Sequence, residues 1–264
     1  MASQDTSESD HEQRFDERKG GLGAYLLRPI DTSLTSIPII LCCFCSGLID
    51  STVFNAWGVF GTMQTGNTVI LALGASSQPT GHPHAWLQAL SAITFFFLGS
   101  FFTNHLGHFL SPLKRRTLIL SFFLQTALII TAAALIRSGV APGIIPSGEE
   151  HFIQLVPLPM LAFQAGQQSV TARQLGLNEI PTTVLTSVYT DLGNDPKLFA
   201  PLNENWKRNR RALAAVALLL GAIIGGWLSR TKEGMPAALW FAAGVKAVLT
   251  VAWALWREEG KIPR

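Results

Sequence analysis

The sequence predicts an all-α, polytopic helical membrane protein. It would have about six transmembrane helices plus two short broken or re-entrant segments, arranged as an inverted 3+3 repeat. Three observations predict this class. Only 14% of the 264 residues are charged and 48% are hydrophobic, with a mean hydropathy of +0.30, whereas an ordinary soluble domain carries about 25% charge. Seven of the 17 acidic and four of the 20 basic residues precede Ile37, so the remaining 228 residues hold ten acids and sixteen bases, too few to solvate a globular surface. Uncharged apolar stretches near the ~20 residues that cross a bilayer as a helix follow one another, without the short alternation of a barrel. Disorder, collagen and a disulfide scaffold are excluded, the last because only Cys42, Cys43 and Cys45 are present.

Residues 1–31 mix acids and bases without an apolar core and are expected to form a disordered cytoplasmic tail rather than a signal peptide. The first membrane half, 32–137, contains the apolar stretches Thr32–Ile49, Ala85–Pro112 and Thr117–Ile136. A loop is expected over 138–151. The second half, 152–256, contains Phe152–Ala172, Ala212–Ser229 and Met235–Trp256, and a short tail follows over 257–264. Phe152–Ala172 is the weakest stretch, with Pro157, Pro159 and four glutamines. Two segments are too short and too polar to face lipid: Val59–Ala75 and Thr182–Leu192. Each reads as half a span or a re-entrant element lining a cavity.

Charge placement chooses between eight crossings and six. Lys and Arg gather in cytoplasmic loops. Eight crossings put thirteen basic residues inside and six outside, while six crossings put sixteen inside and three (Arg137, Arg230, Lys232) outside. Six is therefore expected, with both termini cytoplasmic and the identity of the membrane open. Each half then reads as span, short polar element, span, span. An odd number of crossings per half inverts the second half relative to the first, a recurring transporter architecture.

Gly47-Leu48-Ile49-Asp50, followed by Thr65-Gly66-Asn67-Thr68 and an apolar run, resembles the YoaK family of bacterial and fungal membrane proteins. That family carries a GxxD and a TGNT segment in its first part, then a G-x-Q and a TTxLTG segment. Here Gly166-Gln167-Gln168 and Thr182-Thr183-Val184-Leu185-Thr186-Ser187 stand in the later places, with Ser187 in place of glycine. The resemblance covers Ile37 to Trp256. It implies the architecture and no substrate, since the family's function is unknown.

The residues with chemistry to offer lie inside the expected spans. Asp50 is an intramembrane carboxylate, which costs roughly 2.5–3.5 kcal/mol to insert. It reads as a proton, cation or substrate site, or as an acid solvated near the outer interface. Lys246 falls near mid-depth, where it would pair with Asp50, hold an anion or form a structural ion pair. Thr65, Gly66, Asn67 and Thr68 bring hydroxyls, an amide and a flexible backbone to one place, the makings of a broken-helix binding site or of a self-satisfied turn. Gln164, Gln167, Gln168, Thr182, Thr183, Thr186 and Ser187 are their counterparts in the second half, either lining the same cavity or acting as interhelical glue.

Other features reduce to packing. Gly221-x-x-x-Gly225 is a small-residue helix contact and the candidate seam for a homo-oligomer. Cys42 and Cys45 lack the spacing of a zinc site, and His105 and His108 have no neighbouring acid or thiol. Lys207-Arg208-Asn209-Arg210-Arg211 precedes a span, so it sets orientation and meets lipid headgroups rather than nucleic acid. No hydrolase, zincin, nucleotide-loop or dinucleotide motif occurs, so no catalytic residue, metal or cofactor is expected. The expected function is a small secondary transporter or permease for a polar or anionic solute, working in the lipid bilayer. A membrane scaffold or accessory protein is the alternative, and a membrane-embedded enzyme comes third.

Overall fold

The computed structural model describes residues 21–78, 84–143 and 152–259. Expectations for 1–20, 144–151 and 260–264 lie outside the described residues. The described chain is helical: α1 Leu22–Leu27, α2 Ser36–Trp57, α3 Gln64–Gly74, α4 Ala85–Leu110, α5 Arg115–Arg137, a 3-10 turn Phe152–Leu155, α6 Pro157–Gln174, α7 Thr186–Gly193, α8 Trp206–Leu228 and α9 Met235–Ala254. The β structure among the described residues is confined to the isolated bridges Pro29–Lys114 and Ile30–Glu258.

Among the described residues, five helices (α2, α4, α5, α8 and α9) are long and apolar enough to cross a membrane. The sequence reading expected about six, and the difference is α6. It starts at Pro157, whose fixed φ and missing N–H suit a first helical position, and it runs for 18 residues, 12 of them buried. Its glutamines face protein, so this helix does not need the apolar surface that lipid demands of the others. By contrast, α4 and α8 present their apolar side chains outward, with Phe97, Phe101, Leu219 and Trp227 all exposed. A patch of that kind is a liability in water and the expected surface in lipid.

Glycines bring the helices close in two pairs. A Cβ on Gly47 of α2 would lie 2.0 Å from the Leu218 carbonyl oxygen of α8, and one on Gly221 2.0 Å from that of Phe44. A Cβ on Gly166 of α6 would lie 2.2 Å from the Phe96 oxygen of α4, and one on Gly99 2.1 Å from that of Phe163. Backbone-to-backbone packing of this kind is what small residues permit between membrane helices. Gly221 and Gly225 face α2 of the same chain, Gly225 against Ser51 and Leu48.

The helix ends gather at two poles. At the first, the Ile30 amide donates to the Leu113 carbonyl (3.0 Å) and the Asp31 amide to that of Arg257 (3.0 Å). The buried Arg115 guanidinium donates to the carbonyls of Tyr25 and Trp256, and Arg28 pairs with Glu258 at 2.7 Å. At the second, the Trp57 indole donates to the Pro142 carbonyl (3.0 Å), Gln88 to Gln154 (3.0 Å), and Arg137 pairs with Glu233. Thus α2 ends and α4 begins at the second pole. The connection between them, residues 58–63 and α3, folds back there: a Cβ on Gly74 would press on Trp86 at the start of α4. Gly58 closes α2 in the left-handed conformation, φ 71°, which glycine adopts freely. Likewise α6 ends and α8 begins at the first pole, where Glu179 pairs with Arg210 at 2.9 Å and Asp191 with Arg211 at 2.9 Å.

The apolar interior divides into two clusters along the bundle. One, toward the second pole, includes Cys45, Trp57, Ile129, Ala162 and Ala243. The other, toward the first pole, includes Cys42, Phe122, Ala172, Leu249 and Trp253. The boundary between them falls at the same level on four helices.

Candidate functional site

A layer of polar side chains fills that boundary. Lys246 of α9 is wholly buried. Its ammonium donates to Gln125 Oε1 of α5 at 2.7 Å, to Gln168 Oε1 of α6 at 2.6 Å and to Cys42 Sγ of α2 at 3.4 Å. Phe122 offers its ring face to the Nζ at 5.2 Å, a favourable placement for a cation. The two amides are fixed from behind. Gln168 Nε2 donates to Ser46 Oγ (2.9 Å) and the Cys42 carbonyl (3.4 Å), and Gln125 Nε2 to Ser121 Oγ (3.2 Å). The Ser121 hydroxyl in turn meets that of Thr171 at 3.4 Å. Each side chain comes from a helix whose neighbouring residues are apolar, so burial of the flanking turns places the polar layer at one depth.

Among the described residues, no carboxylate compensates this cation. Asp50, offered by the sequence as a partner, forms no ion pair with Lys246; it sits eight residues beyond Cys42 on α2, ~12 Å along the axis at ~1.5 Å per residue. Its half-buried carboxylate accepts instead from the Thr62 amide (2.6 Å) and the Thr62 hydroxyl (2.6 Å). Asn67, fully buried, completes the arrangement from α3. Its Oδ1 accepts from the Phe60 amide (2.9 Å), and its Nδ2 donates to the Phe60 carbonyl (2.8 Å) and Gln64 Oε1 (2.8 Å). Both side chains hold the 58–63 segment, a loop whose Val59, Gly61 and Thr62 dip into the bundle. The Thr68 hydroxyl donates to the Gln64 carbonyl, while Thr65 and Thr68 themselves lie exposed.

Helix α6 serves as a ruler between the two features. Gly61 of the loop lies against Leu161; Gln164, Gln168 and Thr171 then descend the same face at helical spacings. Seven residues, ~10 Å, therefore separate the loop from the level of Lys246. Between them are amide groups without partners. Gln164 Oε1 and both polar side-chain atoms of Gln167 are buried and unbonded. A buried polar group left so costs about 1–3 kcal/mol and calls for an explanation. On the other side of Lys246, Phe122 packs on Trp253 (centroids 5.6 Å apart) and Trp253 on Trp256 (4.7 Å).

In the second half, Thr182 and Thr183 are buried, with the Thr182 hydroxyl unbonded, whereas Thr186 and Ser187 at the start of α7 are exposed. Of the residues singled out from sequence, the structure joins Lys246 to Gln168 and sets Gln164 and Gln167 beside them. It gathers Asp50, Gly66 and Asn67 around the loop, where a Cβ on Gly66 would press on Phe60. Sequence reasoning missed Gln125, Ser46, Ser121 and Thr171, and read Cys42 as packing alone. A signal for Gln125 was present: it is the one amide in the expected span Thr117–Ile136 and lies near its middle.

The basic run before α8 is largely engaged within the chain. The Arg208 guanidinium donates to the Lys197 (3.2 Å), Leu198 (2.7 Å) and Pro201 (3.2 Å) carbonyls, folding the 195–201 segment about itself. Asp195, outside the spans, is held below the usual carboxylate range, first by the Asn205 side-chain amide and then by the Lys197 backbone N–H. Lys207 projects outward.

In comparison with known families, residues 39–252 fit a family described as a protein of unknown function, DUF1275. No curated protein and no solved structure matches.

Proposed function

The chain belongs to the DUF1275 family, the YoaK family its motifs resemble, and is a multi-pass membrane protein; from that premise we propose that it is a small secondary transporter for an anionic solute. The observation that carries this reading is Lys246, a wholly buried cation at the middle of a span with no carboxylate partner among the described residues. A charge at that depth is costly and faces a ligand or a partner. The unbonded Nε2 of Gln167, next to Gln168 on α6, supplies a donor for the same solute. Gln168 and Gln125 hold the lysine, while Asp50 and Asn67 brace the loop that closes the site toward the second pole, with Gly66 against its Phe60 and Thr65 and Thr68 on the exposed face of α3. Thr183, Thr186 and Ser187 belong to the matching element at the first pole.

An inverted 3+3 repeat with six crossings, α6 being the sixth, is part of this reading. The glycine pairs support it. Gly47 of α2 meets the carbonyl three residues before Gly221 of α8, and Gly166 of α6 meets the carbonyl three residues before Gly99 of α4. The first helix of each half thus packs on the third segment of the other in the same register. The two poles also support it, since residues 28–31, 113–115 and 256–258 meet at one end, as six crossings require. The excess of Lys and Arg makes that end cytoplasmic. Alternating access follows as rocking of one half against the other about the lysine layer.

The three acceptors around Lys246 favour a second reading, a scaffold in which the layer only locks the helices. Flux measurements separate the two. The purified chain in proteoliposomes is expected to carry at least one of chloride, nitrate, phosphate, lactate and succinate faster than protein-free vesicles, with Lys246→Met abolishing the difference. Equal flux with and without protein for all five refutes transport and leaves the scaffold.

A further inference from the structure

Helices α2 and α8 touch along their middles and part toward the first pole. The touching zone is fixed by Gly47 against Leu218, Gly221 against Phe44 and Gly225 against Ser51. Both helices run from the first pole to the second, so stepping back from Gly47 and Leu218 by ~15 Å, at ~1.5 Å per residue, brings Ile37 level with Arg208. There a groove of about 1200 Å³ opens between their first turns. Ile37 and Ile40 line it from α2, Trp206 and Leu213 from α8, and Leu198 and Leu202 close it on the third side.

The third wall belongs to the connection between α7 and α8, whose surface is wrong for water. Phe199 is 96% exposed, Leu202 76% and Trp206 at the start of α8 67%, beside Lys197 and Lys207, which also project outward. Apolar side chains grouped at the start of a span next to long cations are the pattern of a segment lying in the membrane interface. A non-helical backbone against lipid must have its polar groups satisfied from within. The Arg208 guanidinium does this for the Lys197, Leu198 and Pro201 carbonyls, and the Asn209 side chain for that of Leu202. Asn205 Nδ2 donates to Asp195 Oδ2 at 2.9 Å and ties the segment to the start of α8. With the backbone held in this way, Leu198 and Leu202 face the groove.

The apolar lining continues without a break into the surface that faces lipid. Leu41 follows Ile37, and Val216 and Leu220 follow Leu213, at helical spacings, and all are exposed. The mouth of the groove is polar. Both α2 and α8 begin there, so two positive dipole ends meet, with Ser33, Asn203 and Arg210 on the lining and Lys207 outside. An occupant that fits is apolar along most of its length and negative at one end. We infer that the groove holds one glycerophospholipid of the leaflet at the first pole, with an acyl chain along Ile37, Ile40, Leu202 and Leu213 and the phosphate at the two helix starts. Lipid binding here is independent of the solute at Lys246.

The test uses the full chain, reconstituted in vesicles of phosphatidylcholine and phosphatidylglycerol in equal parts, extracted into detergent and examined by native mass spectrometry. One phospholipid, of either headgroup, is expected to stay with each chain. Ile37→Trp and Leu213→Trp put an indole into the groove from opposite sides, at positions exposed in the parent. Excluding roughly two methylene groups of the acyl chain is expected to lower retention about tenfold. Phe97→Trp, on the exposed surface of α4 and outside the groove lining, is expected to retain the lipid as the parent does. A parent that carries no phospholipid or only detergent overturns the inference. Retention unchanged in both groove variants, or lowered as much by Phe97→Trp, does the same. A dimer mass in the parent that is lost in the groove variants also overturns it and assigns the groove to a second copy of the chain.

Discussion

Replacing Gln125 by leucine tests whether the lysine layer is formed as described. The substitution keeps the volume of the side chain and removes one acceptor, 2.7 Å from a wholly buried ammonium. A hydrogen bond to a charged group contributes about 1.5–3 kcal/mol, and the loss leaves an N–H facing apolar carbon. Gln125→Leu alone is therefore expected to destabilise by ~2–3 kcal/mol. In a Lys246→Met background the ammonium is gone, and the introduced leucine meets a thioether of similar size. The same change there is expected to cost less than ~0.5 kcal/mol or to stabilise, as replacing both partners of a buried polar pair often does. The coupling energy of the cycle is thus ~1.5–3 kcal/mol. Reversible unfolding in mixed micelles with rising SDS fraction, followed by tryptophan fluorescence, measures all four corners. A coupling below ~0.5 kcal/mol would refute the contact and the buried cation site built on it.

Other expectations follow from the packing and the loop. Gly166→Ala places a Cβ 2.2 Å from the Phe96 carbonyl and should cost about 1–3 kcal/mol through overpacking, whereas at Gly226, where nothing lies within 4 Å, the same change should gain up to ~1 kcal/mol from helix propensity; the unfolding assay above reads both. Asp50→Ala removes two bonds to Thr62 and should lower loop stability by ~3 kcal/mol, with Asp50→Asn, which keeps one acceptor and gains a donor, intermediate; faster amide exchange confined to residues 60–63 is the readout. Asp195 is held below its unfolded value by the Asn205 side chain and the Lys197 amide. Its contribution is present above about pH 4 and disappears as the pH falls through the folded value; protection of the Lys197 amide should fall on acidification in the parent and change little with pH in Asp195→Asn.

The membrane class and the unusual charges were legible because both are matters of composition and position along one helix. A span announces itself by the absence of charge, and Lys246 stands out against Ala242, Ala243 and Val245 in any order of folding. Partners were not legible. Asp50 and Lys246 are both intramembrane ions of opposite sign, and a pair is the natural reading of the sequence. Which residue a side chain meets depends on the register of two helices, and here α2 and α9 pack so that Cys42, not Asp50, reaches the level of Lys246. In sequence, helix α6 is the weakest of the six expected spans, because hydropathy measures fitness for lipid and most of α6 is buried in protein. Gly221 and Gly225 look in sequence like a seam between chains. A small-residue motif shows that some backbone approaches, and only the fold shows that it is α2 of the same molecule.

By itself the sequence determined the solvent. With 14% charge and 48% hydrophobic residues the chain can satisfy its backbone only as helices in a bilayer. It also marked Lys246 as out of place. The tertiary structure decided what surrounds the lysine. It brought two amide oxygens and one thiol sulfur within reach from three other helices, and turned Asp50 aside to brace a loop. The physical reason is that a helix fixes which residues share a face, whereas the partners across an interface are fixed only when whole helices pack at a given depth and rotation.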